Sequence, residues 1–517
     1  MKVFRHWIIL LCMGVILFTS CEKKVTSSQL GAIPADAMFV ISLENEKLTK
    51  KGGLDNLKEY KFFQKISKEI AEQQPEVQKF LNELIANPKS SGLDTKQSYI
   101  YGVGKSENFY GACVFKMDNL STFDKHIAEL VKLEESISVE DKGDYKLISP
   151  DKTAALVWNE GLLFILGGEL SSINYAELFT LTEDKSILSQ NDFQAFMKQS
   201  HDIGFWCSYQ QLMDMVGSIS GEQLPAIINN FSNTFIHSYV SFENGEIKVS
   251  GKMSPQSKVD EFNKKYPIVK KDFNDKLLGD FPETSYLSFK MAINWSEYLK
   301  LISETMTSSG NYQTEQIKQM FEAPEVKAIL DALGGDILFG IYGFAQGPIP
   351  IPLMGLSFTV KSENDFNNLL ALLPSGTTQK TGDYYTMGVG MGMAIYLAYK
   401  DNRAFVTDDL DAIVAFTGKG FDKTLKNNSL ASSYKNDPCV FYLNLDLDTY
   451  PGSIKTMLQT GAPRELRNYL SLLDPYKDFT YTTNKDGEFV LSVKFKDQNQ
   501  NALKVLLKNL DDTASKY

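Results

Sequence analysis

Oxygen-bearing side chains alternate along the stretch NLDLDTYPG, which contains Asn444, Asp446 and Asp448. Residues two apart on a strand share one face of the sheet, so these side chains could gather around a calcium ion. However, Thr449 replaces the glycine expected at the sixth loop position, and no glutamate follows at the twelfth. We favour a solvated strand end that caps the next helix, and we assign no metal ligand.

The histidines and serines supply no recognisable catalytic motif. His126 lies in the amphipathic stretch TFDKHIAEL and His237 in the strand-like stretch FIHSYVSF, so both are expected on a surface or a strand face. No histidine stands at zinc-ligand spacing, and Gly-x-Ser-x-Gly, P-loop and HExxH motifs are missing from the sequence. We assign no catalytic or cofactor-binding residue and predict no cofactor. A triad assembled from distant residues stays open.

Cys21 follows a segment that is typical of lipid attachment. Lys2 and Arg5 precede the apolar run 7–18, which has signal-peptide length and is short for a membrane span. Small polar residues then precede Cys21, in the order of a bacterial lipoprotein signal. We predict a signal peptide over residues 1–20, acylation of Cys21, and a polar tether over residues 21–31.

The composition indicates a folded, acidic protein. Removal of Lys2 and Arg5 with the signal leaves 51 basic and 64 acidic residues, a net charge of −13 for the mature chain. That charge argues against nucleic acid and against an anionic membrane surface as partners. Cys113, Cys207 and Cys439 remain, each in an apolar, strand-like context, and we expect buried free thiols.

The chain repeats one plan twice. AIPADAMFVISLENEKL, from Ala32, corresponds to DFPETSYLSFKMAINWSEYL, from Asp280, and similar landmarks follow in the same order to the final hairpins and helices. The offset drifts only from 248 to 242 residues. We predict two homologous α+β halves, residues 32–270 and 280–517, with a boundary in the charged stretch between them.

Each half has the order strand–helix–strand–strand–helix, twice, with extra hairpin strands between. This order is that of a ferredoxin-like unit, in which helices cover one face of an antiparallel sheet. Turn-forming pairs mark the hairpins, among them Asp401-Asn402, Asn244-Gly245 and Asp486-Gly487. The predicted fold class is therefore α+β, with antiparallel sheets covered by helices.

An apolar, proline-rich segment interrupts the second half. It replaces a polar hairpin of the first half, and its alternating prolines predict an extended segment outside the strand ladder. Its residues are either folded back onto their own domain or exposed as a contact surface. The candidate contact loop consists of Gly347, Pro348, Ile349, Pro350, Ile351 and Pro352.

The N-terminal motifs resemble a known family. Ile33-Pro34, Asp36-Ala37 and the Gly52-Gly53-Leu54 stop, behind a lipoprotein signal, resemble Bacteroidota-type envelope lipoproteins known only as a domain of unknown function. The resemblance covers essentially the whole mature chain. It implies an envelope lipoprotein and implies no reaction, because the family has no assigned catalytic residues.

These features favour a non-enzymatic, lipid-anchored binding or scaffolding module of the cell envelope. The expected partners are the membrane, through the lipid, and an envelope protein or a glycan. The alternatives are an envelope hydrolase acting on glycan or peptide, and a structural spacer. CEKKV lacks the acidic run associated with surface export, which favours the periplasmic face of the outer membrane.

Overall fold

The computed structural model describes most of the chain between residues 28 and 514. The described ranges are 28–54, 59–65, 68, 88–104, 108–133, 137–220, 231–270, 272–307, 319, 323–347, 350–374, 376–390, 393–461 and 471–514. Cys21, the predicted signal and most of the predicted tether lie outside these ranges.

Twenty strands occur in the described part of the chain. They are β1 Phe39–Leu43, β2 Leu93–Val103, β3 Tyr110–Met117, β4 Glu140–Asp141, β5 Lys146–Asp151, β6 Ala154–Trp158, β7 Leu162–Gly168, β8 Ile203–Ser208, β9 Phe235–Glu243, β10 Glu246–Ser254, β11 Leu287–Ala292, β12 Leu333–Ala345, β13 Ile351–Val360, β14 Thr378–Thr381, β15 Tyr384–Gly390, β16 Met393–Lys400, β17 Arg403–Thr407, β18 Cys439–Asn444, β19 Tyr476–Thr483 and β20 Phe489–Phe495.

Helices alternate with these strands. They are α1 Ser28–Gly31, α2 Asn45–Gly52, α3 Leu120–Leu133, α4 Asn191–Met197, α5 Tyr209–Ser220, α6 Gln256–Lys265, α7 Trp295–Thr307, α8 Pro324–Ala332, α9 Glu363–Ala371, α10 Leu410–Thr417, α11 Ala431–Asn436, α12 Gly452–Gly461 and α13 Ala502–Ala514. The protein is thus a mixed α+β structure with extensive antiparallel sheet, as predicted. No described helix combines the length and the apolar character needed to cross a bilayer.

The described residues fall into two compact units. The first comprises Met1–Glu222, Ser232–Pro255 and Asp497–Tyr517, and the second comprises Gln223–Phe231 and Gln256–Lys496. The units are defined by packing and differ in their limits from the predicted sequence halves, which stay a prediction.

Both units use one strand order. In the first unit the order is β4-β5-β6-β7-β3-β2-β1-β8-β9-β10, with every neighbouring pair antiparallel. In the second it is β14-β15-β16-β17-β13-β12-β11-β18-β19-β20, again antiparallel. The two orders correspond strand for strand.

This order corrects the ferredoxin-like prediction. In a ferredoxin-like unit, the first strand and the strand after the first helix are separated by a third strand. Here β1 pairs directly with β2, with Ile41 opposite Ile100, and with β8 on its other side. The sequence order of elements was right, but that order does not fix which strands become neighbours.

Alternating side chains of the first unit's sheet enter two cores. In β7, Leu162, Phe164 and Leu166 belong to one cluster, whereas Leu163 and Ile165 belong to another. Successive strand residues point to opposite faces, so this fully buried run shows that both faces are covered. In the second unit, Phe405 and Ala404 of β17 enter different clusters for the same reason.

The predicted turns form with the expected backbone geometry. Asp401 and Asn402 both have positive φ, 52° and 60°, which a two-residue hairpin requires of its centre. Gly245 has φ 69° between β9 and β10. Gly487 also has positive φ, but its hairpin is wider than predicted, because β19 ends at Thr483 and β20 begins at Phe489. The predicted stop of α2 is confirmed by Gly53, which has φ 65°.

Candidate functional site

A cavity of about 590 Å³ lies within the second unit, where α7 and α8 face each other beside the start of β12. This volume falls in the range of small-molecule sites. Its apolar walls are formed by Ile293, Trp295, Leu299, Ile302, Leu330 and Leu333. Its polar lining consists of Lys270, Asn294, Ser296, Ser303, Lys327, Asp331, Gly334 and Lys361.

Helical spacing explains which residues reach the cavity. On α7, Trp295, Leu299 and Ile302 recur four and three residues apart, and such positions lie on one face of a helix. On α8, Lys327 and Leu330 are three residues apart. Trp295, Leu299 and Ile302 of α7 therefore face Leu330 and the stem of Lys327 on α8, and no described side chain fills the space between them.

Positive groups gather at the end of the cavity near Gly334. Lys270 donates to the Gly334 carbonyl oxygen at 2.9 Å and forms an ion pair of 2.7 Å with the buried carboxylate of Asp336. Lys361 donates to the carbonyl oxygen of Asp331, at the C-terminal end of α8. The carboxylate of Asp336 therefore balances the charge of Lys270, and Asp331 supplies the one carboxylate among the described lining residues.

The N-terminus of α7 faces the same end. Asn294 precedes the helix, accepts the backbone N–H of Tyr298 at 3.0 Å, and holds the Ser296 hydroxyl through its side-chain oxygen at 2.8 Å. The first N–H groups of a helix have no partner within the helix, and the aligned peptide dipoles place partial positive charge there. Both properties favour an anion at this end.

Two further groups at the cavity lack partners within the described part of the chain. Lys327 is exposed on α8, and no described carboxylate pairs with it. The indole Nε1 of Trp295 is buried, and no described acceptor receives its hydrogen. A buried donor without an acceptor costs about 1–3 kcal/mol, so a ligand oxygen near this nitrogen would be stabilising.

A separate carboxylate network lies in the first unit. Asp192, in the first turn of α4, accepts hydrogen bonds from the Trp206 indole at 2.9 Å, from the Ser254 hydroxyl and from His237, whose Nε2 lies 2.6 Å away. Burial raises the pKa of Asp192, but these bonds outweigh burial and lower it. Serine and histidine both bind the aspartate rather than each other, so the arrangement lacks the bond that activates a serine nucleophile.

His237 lies on strand β9, in agreement with the strand-face alternative, but it is buried, so the surface alternative is wrong for this residue. His126 lies on α3 as predicted, half-buried, with Nε2 2.6 Å from the Ser90 carbonyl oxygen. Free thiols are confirmed at Cys113, Cys207 and Cys439, and the last of these is only half-buried.

The predicted calcium alternative is replaced by lysine contacts. The ammonium of Lys496 lies 2.7 Å from a carboxylate oxygen of both Asp446 and Asp448, and Lys455 pairs with Asp448 at 2.9 Å. The side chain of Asn444 donates to Thr449 instead. Asp446 caps the short turn that follows, as the favoured interpretation predicted. Among the described residues, no group of three or more His, Cys, Asp or Glu side chains could hold a metal ion.

The candidate contact loop is only partly outside the ladder. Pro348 and Ile349 lie outside the described residues, and Pro350 is buried. Ile351 and Pro352 belong to β13, with Pro352 opposite Phe344, so the prediction that prolines exclude pairing there is wrong.

The ladder accepts Pro352 because its nitrogen faces an open edge. β17 pairs with β13 only as far as Thr407, opposite Gly355. Beyond that point, the N–H of Met354 is received by the carboxylate of Asp408 at 2.9 Å. Pro352, two residues earlier, points its nitrogen to the same side, where no strand needs a donor. Ile351 is 44% exposed.

Sequence reasoning missed the cavity. Its α7 and α8 stripes have the spacing of ordinary core-facing positions, so periodicity could not distinguish a cavity wall from a packed interface. Two signals were available in the sequence. They are Asn294, a residue type that caps helices, and Lys270, in the charged boundary stretch.

The fold and the cavity together define a class: a mixed α+β protein with an antiparallel framework and a cationic, apolar-walled cavity. The chain belongs to the family described as a domain of unknown function, DUF4836, which matches residues 31–503. No curated protein matches the sequence.

Two solved structures show weak similarity. Crystal form IV of TP0453 has a TM-score of 0.26 at 8% identity, covering 43% of this chain and 80% of that one. Crystal form I of TP0453 has a TM-score of 0.25 at 8% identity, covering 47% and 88%. Similarity at this level carries no information about function.

Proposed function

We propose that the chain is a lipid-anchored protein of the cell envelope that binds a small ligand without chemical conversion. The observation that carries this proposal is the cavity lining, which combines apolar walls with lysines and, among the described residues, contains one carboxylate, Asp331, and no histidine or cysteine. A hydrolase of glycan or peptide would need a second acid or a nucleophile–base pair in its cleft. The lining supports binding more than hydrolysis.

A blocked cavity tests the binding role. Leu330 is half-buried in the α8 wall, and Leu330→Trp would fill part of the space. A thermal-shift screen of envelope extracts and glycans should find ligands that stabilise the wild-type full chain and fail to stabilise L330W. Lys423→Gln, an exposed position outside the lining, serves as the control. Equal stabilisation of all three proteins would place the ligand elsewhere and remove this assignment.

Attachment through Cys21 is the second part of the proposal. Its support is the order of charged, apolar and small residues before that cysteine. Mass spectrometry of the purified protein should find Cys21 as an acylated first residue, with Met1 to Ser20 removed. Cys21→Ala should lose incorporation of labelled palmitate. An unmodified Cys21 in a protein recovered from the soluble fraction would contradict the anchor.

The periplasmic face of the outer membrane is the proposed location. Its support is the absence of an acidic run in CEKKV. Protease treatment of intact cells should leave the protein whole, whereas treatment after the outer membrane is opened should degrade it. Degradation in intact cells would indicate the cell surface instead.

We also propose that the two halves arose by duplication. The common strand order of the two units supports this proposal, because ten strands would rarely adopt one order twice by chance. An alignment of family sequences should show the Ile33-Pro34 and Phe281-Pro282 starts as related positions. Unrelated profiles for the two halves would contradict it.

The loop from Gly347 to Pro352 is retained as a contact surface for an envelope protein or a glycan. Exposure of Ile351 supports it. Because Ile351 and Pro352 pair within β13, deleting the loop would also disturb the strand, and Ile351→Ser is the cleaner variant. Cross-linked partners should decrease in I351S at unchanged thermal stability. Leu510→Ser, which changes another exposed apolar residue, is the control.

A further inference from the structure

We infer that the cavity of the second unit holds an anionic amphiphile, an acyl chain that ends in a carboxylate or a phosphate. This inference deepens the proposed binding function and rests on it. It commits the charged end of the ligand to the region near Gly334 and the acyl chain to the space between α7 and α8.

Charge determines where the head group of the ligand lies. Three of the described lysines line the cavity, Lys270, Lys327 and Lys361, against the carboxylates of Asp331 and of Asp336, which pairs with Lys270, so positive charge is in excess. Lys361, Lys270 and the N–H groups that begin α7 lie near Gly334. An anion placed there would meet an ammonium and a helix N-terminus together. A neutral or cationic head group would leave this positive region unpaired.

The apolar walls determine where the acyl chain of the ligand lies. Beyond the charged end, the cavity is bounded by Leu299 and Ile302 on α7 and by Leu330 on α8. From Trp295 to Ile302 the helix rises by about 10 Å, and the apolar side chains of Trp295, Leu299 and Ile302 line that length beside Ser296 and Ser303. A sugar or a peptide would lose hydrogen bonds to water along these walls without finding replacements, whereas an acyl chain has none to lose.

Fluorescence quenching provides a site-specific test. The probe is a fatty acid brominated along its chain, because bromine quenches a tryptophan that it contacts. Trp295 lines the cavity, whereas Trp158 and Trp206 are 0% and 1% exposed in the other unit. The full lipidated chain is held in nanodiscs of zwitterionic lipid. Quenching should saturate with the wild type and disappear in Trp295→Phe, which corrects for partition into the bilayer.

The head group is tested with a matched pair of ligands. The brominated acid should bind at least tenfold more tightly than the brominated alcohol of equal chain length, since the alcohol lacks the charge. Lys361→Gln should weaken binding of the acid roughly tenfold and leave the alcohol unchanged. Lys300→Gln removes a charge from α7 away from the lining and should change neither affinity.

A brominated lysophospholipid with an acidic phosphate distinguishes the two sources of such a ligand. Tighter binding of the phosphate ligand identifies a lipid head group as the natural anion, and tighter binding of the acid identifies a free fatty acid. Either result supports the inference, provided that Leu330→Phe, which narrows the cavity without adding a tryptophan, weakens this binding while its thermal midpoint stays near that of the wild type.

Three results would overturn the inference. They are equal binding of acid and alcohol, quenching that persists in Trp295→Phe, and no saturable quenching at all. In the last case, the proposed binding function would stand if the thermal-shift screen found a different ligand that stabilises the wild type and fails to stabilise Leu330→Trp. Failure of the anchor is read separately, from the mass of the N-terminal peptide.

Discussion

At the residue scale, the two units bury different polar groups at matching positions. Ser42 on β1 and Lys290 on β11 lie at corresponding places in the two strand orders, and both are about 1% exposed. Ser42 is 3.0 Å from Nε2 of His201. Lys290 donates to the Asp437 carbonyl oxygen and lies 4.1 Å from the ring centre of Phe273. A neutral pair and a buried ammonium therefore occupy one structural position.

Burial lowers the pKa of Lys290 to about 8, although nearby carboxylates raise it. The unfolded chain, with a lysine pKa near 10.5, binds more protons between pH 8 and 10.5, so this residue makes stability rise with pH in that window. We expect Lys290→Met to stabilise the protein at pH 7 by about 1–2 kcal/mol, with the gain fading toward pH 10. Thermal midpoints from pH 6 to 10 measure this effect. A constant difference across that range would contradict it.

Asp192 should affect stability in the acid range instead, and there too stability rises with pH. Its lowered pKa means that its stabilising bonds persist above the unfolded value of 3.8 and are lost as the pH falls through the folded value. Asp192→Asn should reduce stability at pH 7 by about 1–3 kcal/mol, because His237 and Trp206 lose a charged acceptor. The free energy of unfolding of the variant should also fall less steeply as the pH drops below 4. Asp118→Asn, an exposed control, should do neither.

At the element scale, corresponding strands differ in how closely neighbouring side chains pack against a glycine. Gly111 and Gly355 lie on the corresponding strands β3 and β13, but they face opposite sides of the sheet. A Cβ atom at Gly355 would lie 2.7 Å from the ring of Phe405 and 3.1 Å from that of Phe281, whereas one at Gly111 would meet nothing closer than 3.7 Å. The second unit therefore uses the missing side chain to pack aromatic rings against the strand.

This difference predicts unequal effects of one substitution. Gly355→Ala should destabilise the protein by about 1–3 kcal/mol, since both rings are buried in a filled core. Gly111→Ala should change stability by less than about 1 kcal/mol, and the reduced freedom of the unfolded chain favours a small gain. Denaturant midpoints of the two variants measure the contrast. Equal losses would show that the packing around Gly355 can adjust.

Local signals in the sequence predicted the turns and failed for the pairings. Asp401, Asn402 and Gly245 adopt positive φ because these residue types tolerate it, and the residue types can be read from the sequence. The β1–β2 pairing depends instead on how the intervening chain returns, and strand order alone does not contain that information. Pro352 was misjudged because the open edge beside it is created by the end of β17, a distant element.

At the scale of the whole molecule, the end of the chain completes the first unit. α13 places Leu503 in a buried cluster with Leu43, Leu48 and Phe242. The N–H of Gly245 donates to the carbonyl oxygen of Gln500 at 2.8 Å. The proposed duplication assigns these residues to the second half, but packing places them in the first unit. The boundary of the proposed repeat and the boundary of compact packing therefore fall at different residues.

Truncation after Lys496 tests whether α13 stabilises the first unit or the second. Removal of α13 would expose Leu48 and Phe242, which Leu503 covers, and would open the bond to Gly245. We expect hydrogen exchange in Asn45–Gly52 and Phe235–Glu243 to accelerate at least tenfold, while exchange in β11–β13 stays within twofold of the full chain. Leu503→Ala in the full chain should reproduce a weaker form of the same pattern, and Leu510→Ala, at an exposed position of α13, should not. Faster exchange concentrated in β11–β13 would instead show that α13 stabilises the second unit, and the packing boundary drawn here would be wrong.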